Sequence, residues 1–330
     1  MKKILTISIA AYNVQDYIEK LLGSIIATEM YSELEVIVVN DGSQDKTVEL
    51  VKKYVNRYPE TVFLIDKKNG GHGSTINEGI KNAHGNYFKV IDGDDWVEPE
   101  ELKKLVNKLK KCSSDLVFCN FKNVYENTNT EKIIKMGIES NKEFKFDEIS
   151  EKLDKLCFHN IYIKTKILQD NSIKLQENCF YVDNELDCYP IPFVETVINY
   201  DFTVYCYRLG REGQSVSLKS LQKNEKQRLM VITNLLMFYK NYKGKISLSK
   251  QKFIEKFISI MVGSQIDIMF SWPLSIKKLK EIIEFDNKIK EIPGIYQYMH
   301  FSTFKLWRKQ RTLLYFPIWM WCKYKNSKKF

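Results

Sequence analysis

Over its first 120 residues the chain switches repeatedly between two hydrophobic periods, and this limits its fold more than any other feature. Short, β-branched apolar runs at 4–10, 34–39, 62–65 and 87–91 read as strands buried on both faces. Between them, 14–27, 45–58, 72–83 and 99–111 carry apolar residues at helical spacing, such as Ile18, Leu21, Leu22 and Ile25, or Val48, Val51 and Tyr54. Pro99 sits in the first turn of the last of these, where its missing N–H costs nothing. Strand–helix alternation predicts an α/β fold with a mostly parallel sheet covered by helices. Ligands of such sheets bind beyond the carboxyl ends of the strands, so the residues just after each strand carry the functional information.

Residues 116–217 mix short elements, with an extended strand at 197–207, and from 223 onward three helices are predicted at 223–242, 247–270 and 275–290. The 330 residues suit one core with a smaller appended piece. The expected division is a catalytic domain at 1–220, a helical extension at 221–303 and a tail at 304–330.

The net charge of +10 is concentrated in that tail, which holds eight lysines and arginines and leaves +2 for the rest. No acidic residue follows Glu291. Such localised basicity argues for contact with an anionic surface and against a nucleic-acid binder. Seven cysteines, an odd number without a C-x-x-C, argue against a disulfide framework or zinc site and for a reducing, cytoplasmic setting. The N-terminal apolar run is short and interrupted by Thr6 and Ser8, so it reads as a buried strand rather than a signal peptide. No stretch reaches the roughly 18 apolar residues of a membrane span.

Three of the four early strand ends are polar: Ala11-Tyr12-Asn13, Asn40-Asp41-Gly42-Ser43 with Asp45, and Asp92-Gly93-Asp94-Asp95-Trp96. The second could be no more than a helix cap through Ser43 or Asp45. In the third, three carboxylates within four residues repel one another unless a cation compensates, and oxygen ligands of this kind suit Mg²⁺ or Mn²⁺. Its structural alternative is a solvated turn capping the helix at Pro99.

Taken together, Ser8-Ile9-Ala10-Ala11-Tyr12-Asn13, Val39-Asn40-Asp41-Gly42-Ser43-Gln44-Asp45-Lys46-Thr47, Asn69-Gly70-Gly71-His72-Gly73-Ser74-Thr75 and Asp92-Gly93-Asp94-Asp95-Trp96 resemble family 2 glycosyltransferases. The resemblance implies a GT-A fold and inverting transfer from a nucleotide-sugar donor, of UDP type. It places Ala11, Tyr12 and Asn13 at the base pocket, Asp41 on uracil or ribose, Asn69, Gly70 and Gly71 close to the donor, Asp92 and Gly93 on ribose or sugar, and Asp94 on a Mn²⁺ or Mg²⁺ ion. His72 stands where many relatives differ, and reads as either a donor contact or a structural hydrogen-bonding residue.

Inverting transfer needs a carboxylate to take the acceptor proton. The string Phe180-Tyr181-Val182-Asp183-Asn184-Glu185 lies where the family carries it, which implies Asp183 as the base and Glu185 as the fallback; a helix cap at Asp183 is the alternative. Arg208, Arg211 and Ser215 resemble a late loop closing over the diphosphate, or else a solvated basic loop.

In the tail, Phe304, Trp307, Tyr315, Phe316, Trp319 and Trp321 interleave with the basic residues, as in a segment lying at a membrane surface. A helix packed on protein is the alternative. The expected protein is a peripheral enzyme at the cytoplasmic face of the cell membrane, with a polysaccharide or lipid-linked glycan as acceptor. The rival classes are a non-catalytic nucleotide-sugar-binding scaffold and a nucleotidyltransferase, the latter disfavoured by a first loop that is neither glycine-rich nor basic.

Overall fold

The computed structural model describes residues 2–153, 156–210, 215, 217–273, 275–299, 316–317 and 319–320. The chain divides into two compact units, Met1–Glu212 and Gly213–Phe330.

The first unit opens with the predicted alternation: β1 (Leu5–Ala11), α1 (Ile18–Ile26), β2 (Leu34–Asn40), α2 (Thr47–Arg57), β3 (Val62–Asp66), α3 (His72–Asn82), β4 (Tyr87–Asp92), the two-residue β5 (Trp96–Val97) and α4 (Pro99–Leu109). It continues with β6 (Leu116–Tyr125), β7 (Thr130–Ile134), β8 (Glu143–Lys145), α5 (Phe146–Ile149), β9 (Ile161–Lys164), α6 (Thr165–Asp170), α7 (Asp183–Cys188) and β10 (Thr196–Leu209). The strands form one sheet in the order β3-β2-β1-β4-β9-β6-β10-β5, with β7 beside β6 and β8 beside β10.

All seven residues of β2 are buried, because helices cover both faces of the sheet. The first four strands are parallel. Beyond β4 the parallel pattern gives way: β9 runs antiparallel to both β4 and β6, while β10 is parallel to β6 and antiparallel to β5. Helix α1 begins later than its apolar pattern suggests. The amides of Val14 and Gln15 are taken by Thr47 Oγ1 (2.9 Å) and Asp45 Oδ2 (3.1 Å), which holds residues 14–17 in a turn.

The parallel register sets the functional edge. Ala11 lies opposite Asn40, Asn40 opposite Asp66, and Ala10 opposite Asp92, so four strands end in one row.

The second unit is helical: α8 (Leu218–Lys223), α9 (Glu225–Tyr242), α10 (Leu248–Ser271), α11 (Ile276–Lys290) and α12 (Pro293–Tyr296). Its core gathers Val231, Ile232 and Leu235 of α9, Ile254, Ile258, Val262 and Ile266 of α10, and Ile282 and Ile289 of α11. The helix expected at 223–242 is α9, starting at Glu225, and a short α8 that the periodicity did not announce precedes it. Helix α8 belongs to this unit, with Gln222 Nε2 donating to Ser271 O and Oγ at 3.2 and 2.8 Å, so the division falls before the expected residue 220. Among the described residues no helix is long and apolar enough to cross a membrane. The described cysteines are free thiols.

Candidate active site

The loops after β1 and β2 are stitched together. Asn13, held at φ 51°, receives nothing from chance: its amide donates to Ser43 Oγ (2.9 Å) and its Oδ1 accepts from the Gln44 amide (2.8 Å). Asp45 Oδ1 accepts from the Thr47 amide (2.9 Å), the first of α2, although the N-cap position itself is Lys46, and Ser43 fastens the neighbouring loop. Ala11 is buried at the strand end and Tyr12 is 52% exposed.

Asp41 organises the loop before α3. Its Oδ1 accepts from Lys67 Nζ (2.6 Å) and the Gly70 amide (2.8 Å), its Oδ2 accepts from the Gly71 amide (2.8 Å), and its carbonyl accepts from Asn69 Nδ2 (2.9 Å). The side chain is buried and both of its oxygens accept hydrogen bonds, so this carboxylate fixes the loop of residues 69–71. Gly71 takes φ +80°, a backbone open to glycine, and a Cβ there would stand 3.1 Å from Asn178 Cα. Lys67 escaped the sequence reading because the end of β3 carries no motif, although a lysine directly after a strand end is itself a signal.

The acidic loop after β4 is clamped from β10. Asp95 is 1% exposed; its Oδ2 accepts from Tyr205 OH (2.5 Å) and its Oδ1 from the Arg208 amide (2.8 Å). It does not cap α4, whose N-cap is Glu98 without a side-chain bond. Arg208 Nε donates to Asp94 O (2.6 Å), its Nη1 pairs with Glu126, and its cation lies 4.7 Å from the Tyr17 ring and 5.0 Å from Trp96. Arg208 is therefore buried and braces the acidic loop. The Gly93 amide donates to Ala10 O (3.0 Å), and a Cβ at Gly93 would come within 2.9 Å of that oxygen, so only glycine lets the loop fold back onto β1.

His72 Nε2 stands 3.0 Å from Asp92 Oδ1. Burial alone would lower the imidazole pKa, but Asp92, then Asp183 and Asp94, outweigh it and raise it. His72 thus ties α3 to the acidic loop. Burial, then Asp94 and Asp92, push the Asp95 carboxyl well above the usual carboxylate range, only partly offset by Tyr205 and the Arg208 amide. Such a cluster stores repulsion that a cation would relieve.

Asp183, half-buried, starts α7, whose N-cap is Val182. Just before it Tyr181 takes φ 68°, uncommon for a bulky residue and typical of functional turns. The fallback Glu185 is fully buried and accepts from the Gln176 amide (2.7 Å), so it anchors the preceding loop and is closed to a substrate hydroxyl. Ser215 is an exposed turn residue of the second unit, and Arg211 lies outside the described residues.

Two further residues join the site unannounced by any motif. His159 lies with Asp92 and Asp95 so that one ligand atom of each falls within 4.8 Å of the others. Asp94, the expected metal ligand, is not in that group. Lys89, fully buried in β4, donates to the carbonyls of Phe158 (2.5 Å), His159 (2.7 Å) and Ile161 (3.3 Å). Burial pushes its pKa down to about 7. A lysine inside the apolar run Tyr87-Phe88-Lys89-Val90-Ile91 was the available signal; His159 offered none.

An α/β unit with a parallel four-stranded half, a carboxylate loop after β4 and a mixed second half defines the GT-A fold. The family described as Glycosyl transferase family 2 matches residues 6–171, half of the chain, and the chain belongs to that family. A relative among curated proteins is the glycosyltransferase GlyA of Streptococcus pneumoniae, 34% identical over 117 residues, covering 36% of this chain and 16% of that protein. The chain spans less than half the length of the curated relatives it matches. Among solved structures, S. aureus TarS 1-349 in complex with UDP-GlcNAc aligns with a TM-score of 0.66 at 21% identity, over 98% of this chain and 88% of that one. The mannosyltransferase PcManGT of Pyrobaculum calidifontis, in complex with GDP-Man and Mn²⁺, aligns with a TM-score of 0.51 at 14% identity, over 91% and 85%. At these identities the likeness is one of fold.

Proposed function

We propose that the chain is a glycosyltransferase that moves a sugar, with inversion, from a nucleotide-sugar donor to a hydroxyl of a polysaccharide or lipid-linked glycan. UDP is the favoured nucleotide, in keeping with the UDP-GlcNAc held by TarS. The observation that supports the reading is the acidic loop of Asp92, Asp94 and Asp95, with His72 3.0 Å from Asp92, at the carboxyl edge of a family 2 chain.

A divalent cation fits this edge, because Asp92, Asp95 and His159 bring donor atoms together and the carboxylates of Asp92, Asp94 and Asp95 repel without one. Asp94 would hold it, as the family motif implies, with Asp92 in the same loop and His159 nearby. When bound, a Mn²⁺ or Mg²⁺ ion offsets the charge on the leaving diphosphate. The chain's own residues do the rest. Residues 69–71, fixed by Asp41, bring backbone close to the donor; Ala11, Tyr12 and Asn13 line the base pocket; Gly93 admits the sugar beside Asp92. His72 orients Asp92. Asp183 accepts the proton of the acceptor hydroxyl as its oxygen bonds to the anomeric carbon; the bond from that carbon to phosphate oxygen breaks, and the electron pair leaves with the diphosphate. Arg211 and Ser215 are the remaining candidates for closure over that diphosphate.

In this reading the first unit, Met1–Glu212, catalyses, the helices of the second unit up to residue 303 form an extension, and 304–330 rest on an anionic membrane surface at the cytoplasmic face. The test is nucleotide release from a panel of nucleotide sugars, with Mn²⁺, Mg²⁺ or chelator. One donor should be turned over in a metal-dependent way. Asp94→Ala should abolish that turnover, and Asp183→Asn should keep donor binding while slowing transfer by about a hundredfold or more. Transfer unchanged in Asp183→Asn would remove the base assignment, and a wild-type protein that binds donors without transfer to any acceptor would favour a scaffold.

A further inference from the structure

The turn that leads to Asp183 holds a large aromatic side chain out of the core: Phe180 is 47% exposed. A singly exposed apolar residue is ordinary on a protein surface. The position and rigidity of this one are not. Asn178 and Tyr181, on either side of the Cys179-Phe180 pair, take φ 54° and 68°, so two left-handed residues fix the course of the turn. One end is tied to the loop before α3: the Asn178 amide donates to Gly70 O (2.5 Å), and a Cβ at Gly71 would stand 3.2 Å from the Cys179 nitrogen. The other end is tied to α7, where Val182 is fully buried and Asn184 Nδ2 donates to Tyr181 O (3.0 Å). Phe180 thus stands between the loop proposed to approach the donor and the carboxylate proposed to take the acceptor proton. Its ring lies 6.2 Å from that of Tyr181, tilted by 49°. The surrounding stretch is also one-sided in charge. Between Lys174 and Arg208 there is no lysine, arginine or histidine, whereas Glu177, Asp183, Glu185 and Asp187 fall within it.

We infer that Phe180 is the platform on which the acceptor's terminal sugar stacks, and that this sugar is an uncharged pyranose. The inference rests on the glycosyltransferase reading proposed above and adds to it the class of acceptor. An acceptor hydroxyl within hydrogen-bond reach of Asp183 brings the ring that bears it beside the 180–183 turn. One face of a pyranose presents mainly C–H groups, weakly positive, and the face of an aromatic ring is negative, so the two attract as well as exclude water. A ring set by a turn of fixed course offers that face with little left to order on binding. A phosphate-bearing acceptor unit would meet carboxylates and no cation along this stretch, which disfavours it.

The test uses the full chain with Mn²⁺ and UDP. The probes are the methyl β-glycosides of glucose, galactose and N-acetylglucosamine, with ribitol phosphate as the charged, acyclic control. Saturation-transfer NMR reads which probe protons touch the protein, its titration gives the probe affinity, and calorimetry gives the affinity for UDP. We expect at least one pyranoside to bind through its ring C–H protons, with an affinity lower by about tenfold in Phe180→Ala and near the wild-type value in Phe180→Tyr. Phe180→Leu, which keeps apolar area without a ring, should fall with the alanine variant, and UDP affinity should be the same in all four proteins. Equal pyranoside affinity in Phe180→Ala, full rescue by Phe180→Leu, no pyranoside bound beside UDP, or a preference for ribitol phosphate would each overturn the inference and leave the donor reading standing. A matching loss of UDP affinity in Phe180→Ala would overturn it too, by giving the ring to the donor. No UDP bound by the wild type would overturn both.

Discussion

At the residue scale the site depends on close approaches that tolerate no side chain. Gly73, in the first turn of α3, lies under the segment that leads to Asp183: a Cβ there would stand 2.1 Å from Gln176 O, a main-chain atom that cannot swing away. The same segment is tied by Glu185 to the Gln176 amide and by the Asn178 amide to Gly70 O (2.5 Å). Gly73→Ala must therefore push the segment off α3, at about 1–3 kcal/mol. A shift of about 1 Å at the base is enough for a loss on the order of a hundredfold in rate. The expected outcome is a lower melting temperature together with transfer reduced far more than donor affinity; an unchanged melt and rate would show that the segment yields freely. The string Gly70-Gly71-His72-Gly73 announced a close approach, but to a donor. That one of its glycines serves the chain's own backbone could not be read from spacing.

At the scale of elements, one carboxylate ties together three strands of the mixed half of the sheet. Asp115, just before β6, accepts from Lys164 Nζ (2.9 Å) at the end of β9 and from the amides of Glu195 (2.8 Å) and Thr196 (3.1 Å) at the start of β10. Burial would raise its pKa, but Lys164 and the two amides outweigh burial and hold it below the usual carboxylate range. Because the folded state favours the ionised form, this contribution is full above the unfolded value of about 4 and is lost as pH falls through the lowered folded value. Asp115→Asn should lose about 1–3 kcal/mol at pH 7, as for hydrogen bonds to a charged group, with the gap narrowing towards pH 3. Thermal melts of both proteins at the two pH values check this; a gap that does not change with pH would assign the loss to shape rather than charge. The helices and strands on either side were legible from periodicity. The antiparallel insertion of β9 was not, since a four-residue strand carries no record of its partners.

At the scale of the whole molecule, charge is distributed more tellingly than it is summed. The tail of 304–330 holds eight basic residues and no acidic one. Of it, the structure describes Phe316, Pro317, Trp319 and Met320; the Trp319 indole donates to Trp272 O (2.7 Å) within the second unit, while Phe316 and Met320 remain more than half exposed. One tryptophan is thus docked on protein and two apolar neighbours face outward. If the tail rests on anionic lipid, each basic residue near the surface adds roughly 1 kcal/mol. Deleting 304–330 should then abolish sedimentation with phosphatidylserine vesicles at low salt, and high salt should weaken binding of the intact chain. Equal binding by the truncated chain would give the tail to protein packing.

By itself the sequence determined the alternation of strands and helices, the row of polar strand ends and the family, because those depend on local periodicity and on contiguous motifs. Only the tertiary structure decided which of these residues are buried and what they hold. Asp41, Arg208 and Glu185 carry the right chemistry, yet folding turns their charges inward to brace loops, since a buried charge must find its partners within the protein. His159 has no motif and reaches the acidic loop only because β9 pairs beside β4, whose Lys89 holds the carbonyls of that segment. Long-range strand pairing brings distant residues together, and no local pattern in the chain records it.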